Sequence, residues 1–529
     1  MVQKQFTFDE FQFSSTLIRD LVAEKSTISS FISRPFSMDN LHQQAQNKVF
    51  DPEQRRALVK QLYTQNQTIE LSSHTRENIE LLEQSNSFTI TTGHQLNLMT
   101  GPLYSIYKVA QVISLCREAK EKDPSLNYIP LFWMATEDHD FEEINHLHLF
   151  GKKIAWDKAG QEHRIAGEIL PVDILPFLEE IKALFRTDEE KARLAIFSEL
   201  YLKNQNLAAA TRGIMNHLFG DFGLVILDGN DPELKKEFAP IVEKELKDGF
   251  VFDAVQATND ELAKKGYHTQ VYLRNCNLFS IASDGTRLRI GKERDQFFKG
   301  DDKIELQDLL AELEKNPASF SPNALLRPVY QELILPNLAY IGGGGEIAYW
   351  MQLKGVFDAL NLPFPMLRVR DSFVLLRARE LNTLEELGLS LVDLKRDLHD
   401  LVREMALEEV ELELELHEER KRLDELKKDL LVKANDVGQG MEGMIEAEFS
   451  KMEKSLEKIE SKLIKAEKSK HEQKANKIGK LQAKIYPDKG FQERFENFLP
   501  YFLEDANFVT KIVDNLQAVD QPSITILEL

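Results

Sequence analysis

Two short apolar runs, each ending abruptly in polar residues, constrain this chain more than any other feature. Phe88-Thr89-Ile90-Thr91-Thr92 breaks at Gly93-His94-Gln95, and Tyr128-Ile129-Pro130-Leu131-Phe132-Trp133-Met134 breaks at Glu137-Asp138-His139-Asp140. Between them Leu103, Ile106, Tyr107, Ala110, Ile113 and Ser114 recur at helical spacing. Strand, helix, strand with chemistry at the strand exits is how an open parallel sheet builds a ligand crevice. The expected core is therefore α/β, with a mainly parallel sheet.

The same pattern returns downstream. Leu207 to Phe219 reads as a helix, and Gly223 to Asp228 as a short buried strand ending in an acid. Leu338 to Ile341 leads into Gly342-Gly343-Gly344-Gly345-Glu346 and a helix through Trp350, Leu353 and Phe357, and Phe364 to Val369 is a strand bounded by Arg370. His268 to Arg274, Leu278 to Ser283 and Thr286 to Ile290 read as short strands, with Asp284-Gly285 as a hairpin turn. They suggest an antiparallel insertion near 268–290. Residues 1–86 read as helices with short breaks, one opened by Asp51-Pro52-Glu53 and running on through Ile69, and Gly167 to Leu170 reads as a scrap of strand.

From 381 to 485 the grammar changes. Leu391, Leu394, Leu398, Leu401 and Met405 step by three and four, as do Ile445, Phe449, Met452, Leu456, Ile459, Leu463 and Ala466. The spacing predicts an antiparallel coiled-coil hairpin with arms of about 40 residues, roughly 60 Å long. It reverses at Asp436-Val437-Gly438-Gln439-Gly440, and the alternating stretch Val410 to Leu416 is read as helical because both flanks are. The resulting segments are 1–86, 87–380, 381–485 and 486–529, the last closing on a strand at Ile524 to Leu527.

A chain of 529 residues implies two or three domains. Its net charge of −21 argues against nucleic acid as a partner, though not against a nucleotide. Met1 to Glu24 has no continuous apolar core, and no run approaches the roughly 20 residues of a membrane helix. Only Cys116 and Cys276 occur, which excludes a disulfide framework and a cysteine zinc site and suits a reducing cytoplasm.

Three strand exits carry candidate chemistry. At the first, Thr92, Gly93, His94 and Gln95 are followed by Thr100 and Gly101 ahead of Pro102, an N-cap arrangement that would turn free N–H groups and a helix dipole toward a ligand near Tyr104. A capped turn alone explains the glycines but not His94 beside Gln95. At the second, five carboxylates and an imidazole fall within Glu137 to Glu143. Such crowding suits Mg²⁺, an amine, or a carboxylate acting as base. Asp138, His139 and Asp140 are the catalytic candidates, whereas Glu142 and Glu143 fit a solvated turn and His146 and His148 the polar face of a strand. At the third, Gly343, Gly344 and Glu346 offer close backbone approach, without the spacing of a dinucleotide fingerprint or a P-loop. Arg327 is an anion partner or one half of a structural ion pair. Lys451-Met452-Glu453-Lys454-Ser455 imitates a synthetase lysine loop, but Met452 lies on the heptad seam and the match is rejected.

The blocks TGHQLNLMTGPLYSIYK, FWMATEDHDFEEIN, SFSPNALLRPVYQELILPNLAYIGGGGEIAYW and YPDKGFQERFENFL, in that order, resemble the BshC family of cysteine-adding enzymes of bacillithiol biosynthesis. The resemblance spans nearly the whole chain. It implies a Rossmann-like core related to class I synthetases, with inserted segments and a coiled coil that supports a homodimer. It further implies an amide-forming ligase that joins cysteine to the amino group of glucosaminyl-malate. ATP is then the expected cosubstrate, with Mg²⁺ as a clamp, because a carboxylate does not acylate an amine without activation. The family pattern has TGQQ where this chain has Thr92-Gly93-His94-Gln95, and Gly-Pro-Gly where it has four glycines. Another adenylating enzyme with a different amine acceptor, or a nucleotide-binding scaffold, remain the alternatives. Convergence of the three exits on one cavity separates catalyst from scaffold.

Overall fold

The computed structural model describes residues 2–11, 14–158, 160–161, 163–408, 416–435, 438, 440–516 and 521–529. Both apolar runs form strands of one parallel sheet: β1 (Ser87–His94), β2 (Asn127–Met134), β3 (Val225–Asp228), β4 (Asn337–Gly342) and β5 (Met366–Val369), in the spatial order β5-β4-β1-β2-β3. The chain moves outward one way from β1 to β3 and then returns to β4 on the other side of β1. A ligand crevice forms where the order reverses. Register levels the exits, since His94 pairs with Met134, Met134 with Asp228, and Gly342 with Val369.

Alternate strand residues point to opposite faces. Phe88, Ile90 and Tyr128 pack with Val112, Leu115 and Ile341 on one side, while Phe132 and Met134 pack with Ile106, Tyr107 and Ile113 on the other. Helix α1 (Tyr104–Lys122) supplies both sets. The threonines of β1 are buried too, and each finds an acceptor: Thr91 donates to Asn337 Oδ1 at 2.8 Å and Thr92 to the Ile341 carbonyl at 2.8 Å. Helices α2 (Arg327–Ile334) and α3 (Gly344–Gln352) flank β4.

Beyond the parallel sheet, residues 278–322 build a separate five-stranded antiparallel sheet. Its hairpin turns at Asp284-Gly285 as expected, with Gly285 at φ 82°. Strands 296–299, 302–304 and 320–322 extend it beyond the sequence reading. His268 to Arg274, by contrast, forms no strand. Three other expectations fail locally. Residues 2–7 form a strand, paired with Ser523–Glu528, in a region read as helical. The helix from Pro52 stops at Gln65, short of Ile69, with Asn66 as its cap, and 166–168 is a 3-10 turn. The closing strand at 524–527 is present.

Contacts divide the chain into two compact units, residues 1–375 with 492–529, and residues 376–491. The second unit contains α4 (Leu398–Glu408), α5 (His417–Asn435) and the 45-residue α6 (Met441–Ile485). Arg420 Nη2 meets Glu460 Oε2 at 2.7 Å and Lys477 Nζ meets Glu386 Oε2 at 2.7 Å, which is antiparallel pairing within one chain. Leu391 and Leu394 precede α4 and are not on a helical arm, so that heptad run begins late. Val410 to Glu415 and most of the reversal at 436–440 lie outside the described residues.

One glycine at a strand exit is set by packing. A Cβ on Gly229 would fall 2.3 Å from the Trp133 indole, which is buried against Tyr330. Gly229→Ala is expected to cost about 1–3 kcal/mol through overpacking. Urea denaturation checks this, and an unchanged midpoint would mean that the indole moves freely.

Candidate active site

Four parallel exits open onto one cavity of about 510 Å³. Gly93, His94 and Gln95 come from β1, and Trp133 to Asp138 from β2 and its turn. Tyr340, Gly343, Gly345, Glu346 and Tyr349 come from β4 and α3, and Arg370 follows β5. Lys108 of α1, Arg327 of α2, Arg287 of the antiparallel sheet and Arg494 of the C-terminal segment complete the wall. The acid that ends β3 lies just behind the wall, where Thr136 donates to Asp228 Oδ1.

Lys108 and Glu346 join the first and third exits. Lys108 Nζ lies 2.8 Å from Glu346 Oε2 and also donates to the Gly93 carbonyl, while Tyr340 donates to Glu346 Oε1. Burial raises the Glu346 carboxyl, but Lys108, Tyr340 and Arg327 outweigh it and hold it below the usual range. Glu346 also accepts from the Gly343 N–H at 3.3 Å, so the N-terminus of α3 carries its own anion.

Arg327 resolves the choice left by the sequence. Its partners are Gln331 Oε1 at 3.0 Å and Tyr349 Oη at 3.4 Å, and among the described residues no carboxylate lies within ion-pair distance. The guanidinium lies 5.7–5.9 Å from the ring centres of Trp133, Tyr340 and Trp350. It is a cation packed among aromatic faces in the cavity wall, and not one half of a structural ion pair. Arg370, by contrast, is spent in a two-pronged pair with Glu493.

The β2 corner divides between two spaces. Asp138 lines the main cavity and accepts from Gln95 Nε2 at 2.6 Å. His139 and Asp140, with Asp138 lining both, face a second space of about 740 Å³. Burial and the neighbouring Arg287 hold the His139 imidazole down. Arg287 Nη1 donates to His139 Nδ1 at 3.1 Å, so the neutral ring carries its proton on Nε2. Asp140 is exposed and accepts from the Glu143 N–H at 3.4 Å, as the cap of the short helix Phe141–Ile144.

Several candidates serve the fold instead. Thr92 ties β1 to β4. Thr100 and Gly101 do not cap α1, which begins at Tyr104 after Leu103 without a side-chain cap. They form a left-handed turn, φ 61° and 68°, held where Asn497 Nδ2 donates to the Met99 and Gly101 carbonyls at 2.8 and 2.6 Å. The N–H groups expected to face a ligand are taken within the protein: Gly101 donates to the Leu98 carbonyl, Leu103 to that of Glu496 and Ser105 to that of Pro102. Gly344 lies outside the cavity wall, and a Cβ there would meet Ser14 Oγ at 2.5 Å. Among the described residues no cluster of three or more His, Cys, Asp or Glu side chains is arranged to hold a metal, and no helix is long and apolar enough to cross a membrane.

Residues 2–371 match the family model for "Bacillithiol biosynthesis BshC, N-terminal Rossmann-like domain", and residues 373–529 match that for the BshC C-terminal coiled-coil domain. The chain belongs to the BshC family. It is 40% identical to "Putative cysteine ligase BshC" of Flavobacterium johnsoniae over 93% of both chains. The proteins of the same name from Flavobacterium psychrophilum and Christiangramia forsetii are 38% and 36% identical, over 95% and 97% of each chain. The Rossmann-like core and the coiled coil expected from the sequence are those of the BshC fold.

In this BshC chain, sequence reasoning missed Lys108, Arg287, Arg370 and Arg494, and noted Glu137 only as a member of the acidic cluster. Arg370 carried a usable signal, a charged residue directly after an apolar strand. Lys108 carried another, a lysine inside a buried helical stripe. Arg287 sits on a strand with no such mark.

His94 yields a pH prediction. Burial, reinforced by Lys108 and Arg370, holds its imidazole well below the usual range. The unfolded chain takes up this proton near pH 6.5 while the folded chain does not. The stability it contributes is therefore present above about pH 6.5 and lost as pH falls. Denaturation from pH 7.5 to 5 should show wild type losing up to about 1.4 kcal/mol per pH unit more than His94→Gln. Equal slopes would mean that the ring titrates freely.

Proposed function

We propose that this chain is a carbon–nitrogen ligase that joins the carboxyl of cysteine to the amino group of glucosaminyl-malate, the last step of bacillithiol formation, with ATP activating the carboxyl. The observation that carries the reading is the charge layout of one cavity: Lys108 pairs with Glu346 and Arg370 with Glu493, which leaves Arg287, Arg327 and Arg494 with no ion pair among the described residues, beside Glu137 and Asp138. A surplus of cations suits phosphates and carboxylates, and a carboxylate without a cationic partner suits an attacking amine.

In this reading the β1 turn at Gly93-His94-Gln95, with Lys108 beneath it and Arg327 across from it, faces the activated carboxyl and its phosphate. Asp138, oriented by Gln95, holds the attacking amine and takes its proton. His139 orients rather than reacts, and Asp140 shapes the turn. The described residues offer no cage for Mg²⁺, so an ion accompanying ATP would rest mainly on the phosphates. The relatives' name as cysteine ligases supports the reaction class.

A homodimer through the coiled coil belongs to the same reading, because Leu426, Met452, Ile459 and Leu463 are 41–51% exposed on the hairpin. The enzyme then works in the cytoplasm, where ATP and reduced cysteine are at hand. Mass spectrometry of glucosaminyl-malate, cysteine and ATP incubated with the protein tests the proposal. It predicts a product equal to the two substrates less water, dependent on ATP. No such product, or one formed only from a different amine, would contradict it.

A further inference from the structure

Glu137 lines the cavity yet is only 8% exposed, and its contacts lie on one side. Oε1 is 2.7 Å from Lys235 Nζ. Lys235 is 1% exposed and also donates to Asn230 Oδ1 at 2.8 Å and the Ala318 carbonyl at 3.0 Å. Its ammonium thus donates to those two neutral oxygens and meets Glu137 Oε1 as an ion pair, not in hydrogen-bond geometry. The turn that carries it is fixed in turn: Asp231 accepts from the Glu233 and Leu234 N–H groups, and Gln65 donates to Asp231 at 2.9 Å. Lys235 is not free to follow a ligand. Glu137 Oε2, meanwhile, takes no hydrogen bond from the described residues.

We propose that Glu137 is the specificity-determining residue for the amino acid: Oε2 receives the α-ammonium of the cysteine whose carboxyl is activated, and Lys235 is the positioning residue that fixes Oε1. This rests on the ligase reading above. The two amines of that reaction differ in what they need. The attacking amine must lose a proton as its nitrogen bonds to the acyl carbon and the phosphate-bearing oxygen leaves. The α-ammonium of cysteine keeps its three protons throughout. Lys235 fixes Oε1, and the remaining oxygen of Glu137 is left toward the cavity, where it offers an acceptor to a lasting cation. Asp138, whose contacts are the Gln95 amide, the His139 N–H at 2.8 Å and the neutral His139 ring at 4.0 Å, pairs with no lysine or arginine among the described residues and suits the other amine. The two neighbouring carboxylates thereby divide the work.

Calorimetric titration of the full chain with L-cysteine and with 3-mercaptopropionate, the same thiol acid without its amine, tests the assignment. Wild type should bind cysteine about tenfold or more tightly than 3-mercaptopropionate. Glu137→Gln should bring the two affinities together, while Asp138→Asn keeps the ratio. Lys235→Met should shrink the ratio with 3-mercaptopropionate affinity unchanged, which a merely structural role would not produce. If Glu137→Gln fails to fold, Glu137→Gln/Lys235→Met removes both charges together and should likewise lose the ratio. A Glu137→Gln protein, or the double variant, that still prefers cysteine tenfold overturns this inference and leaves the ligase reading standing. Wild type that binds neither compound, with or without nucleotide, overturns the ligase reading and this inference with it.

Discussion

Arg327→Ala is expected to lower kcat/KM for ligation by about 10²–10³-fold, the usual effect of removing one preorganised electrostatic group from a closed site. The guanidinium is the best candidate for meeting developing negative charge, because it has aromatic neighbours and two neutral acceptors but, among the described residues, no carboxylate within ion-pair distance. Arg327→Lys should recover little. A lysine ammonium is a compact, strongly hydrated charge that does not reproduce a flat guanidinium beside Trp133, Tyr340 and Trp350. Steady-state kinetics with thermal midpoints measured alongside would check both variants. Activity within about threefold of wild type in a folded Arg327→Ala protein would remove Arg327 from the reaction.

Breaking the Arg370–Glu493 pair should produce the largest loss of stability. Arg370 Nη1 and Nη2 reach Glu493 Oε2 and Oε1 at 2.7 and 2.5 Å, Ser372 donates to the same carboxylate, and both side chains are almost fully buried. Removing one partner strands a buried charge, at a cost of about 3–5 kcal/mol, whereas replacing both by neutral groups of similar volume is often close to neutral. Arg370→Met and Glu493→Gln should therefore each be far less stable than wild type, and the double variant should recover most of the loss. Urea denaturation of all four proteins gives the coupling. Single variants within about 1 kcal/mol of wild type would show that solvent reaches the pair. The pair also joins the C-terminal segment to the β5 exit, so both single variants should disturb the neighbouring Arg494.

The sequence showed the strand exits more clearly than the residues that bind them together. Periodicity and abrupt polar breaks were enough to find β1, α1 and β2, the tetraglycine turn and the Asp284-Gly285 hairpin, because each is a local pattern. Local patterns also misled. Thr100-Gly101-Pro102 has the composition of a helix start, but Asn497, almost 400 residues away in sequence, takes that turn's carbonyls. Asp140 looked reactive beside Asp138, yet an acid three residues ahead of Glu143 is also a cap signal, and the cap is what the backbone uses. The strand at 2–7 was hidden because its partner is the far end of the chain. Lys108, Arg370 and Glu493 owe their places to contacts no single stretch of sequence contains.

Separate strand exits meet in one cavity at the switch point of the parallel sheet, and the proposed function makes that cavity the reaction chamber. A crystal structure of the protein with cysteine, glucosaminyl-malate and a non-hydrolysable ATP analogue tests it most directly. The cysteine carboxyl, the amine and the terminal phosphate should lie together in the space bounded by His94, Asp138, Arg327 and Glu346. Ligands bound apart, with cysteine or the amine outside that space, would contradict it.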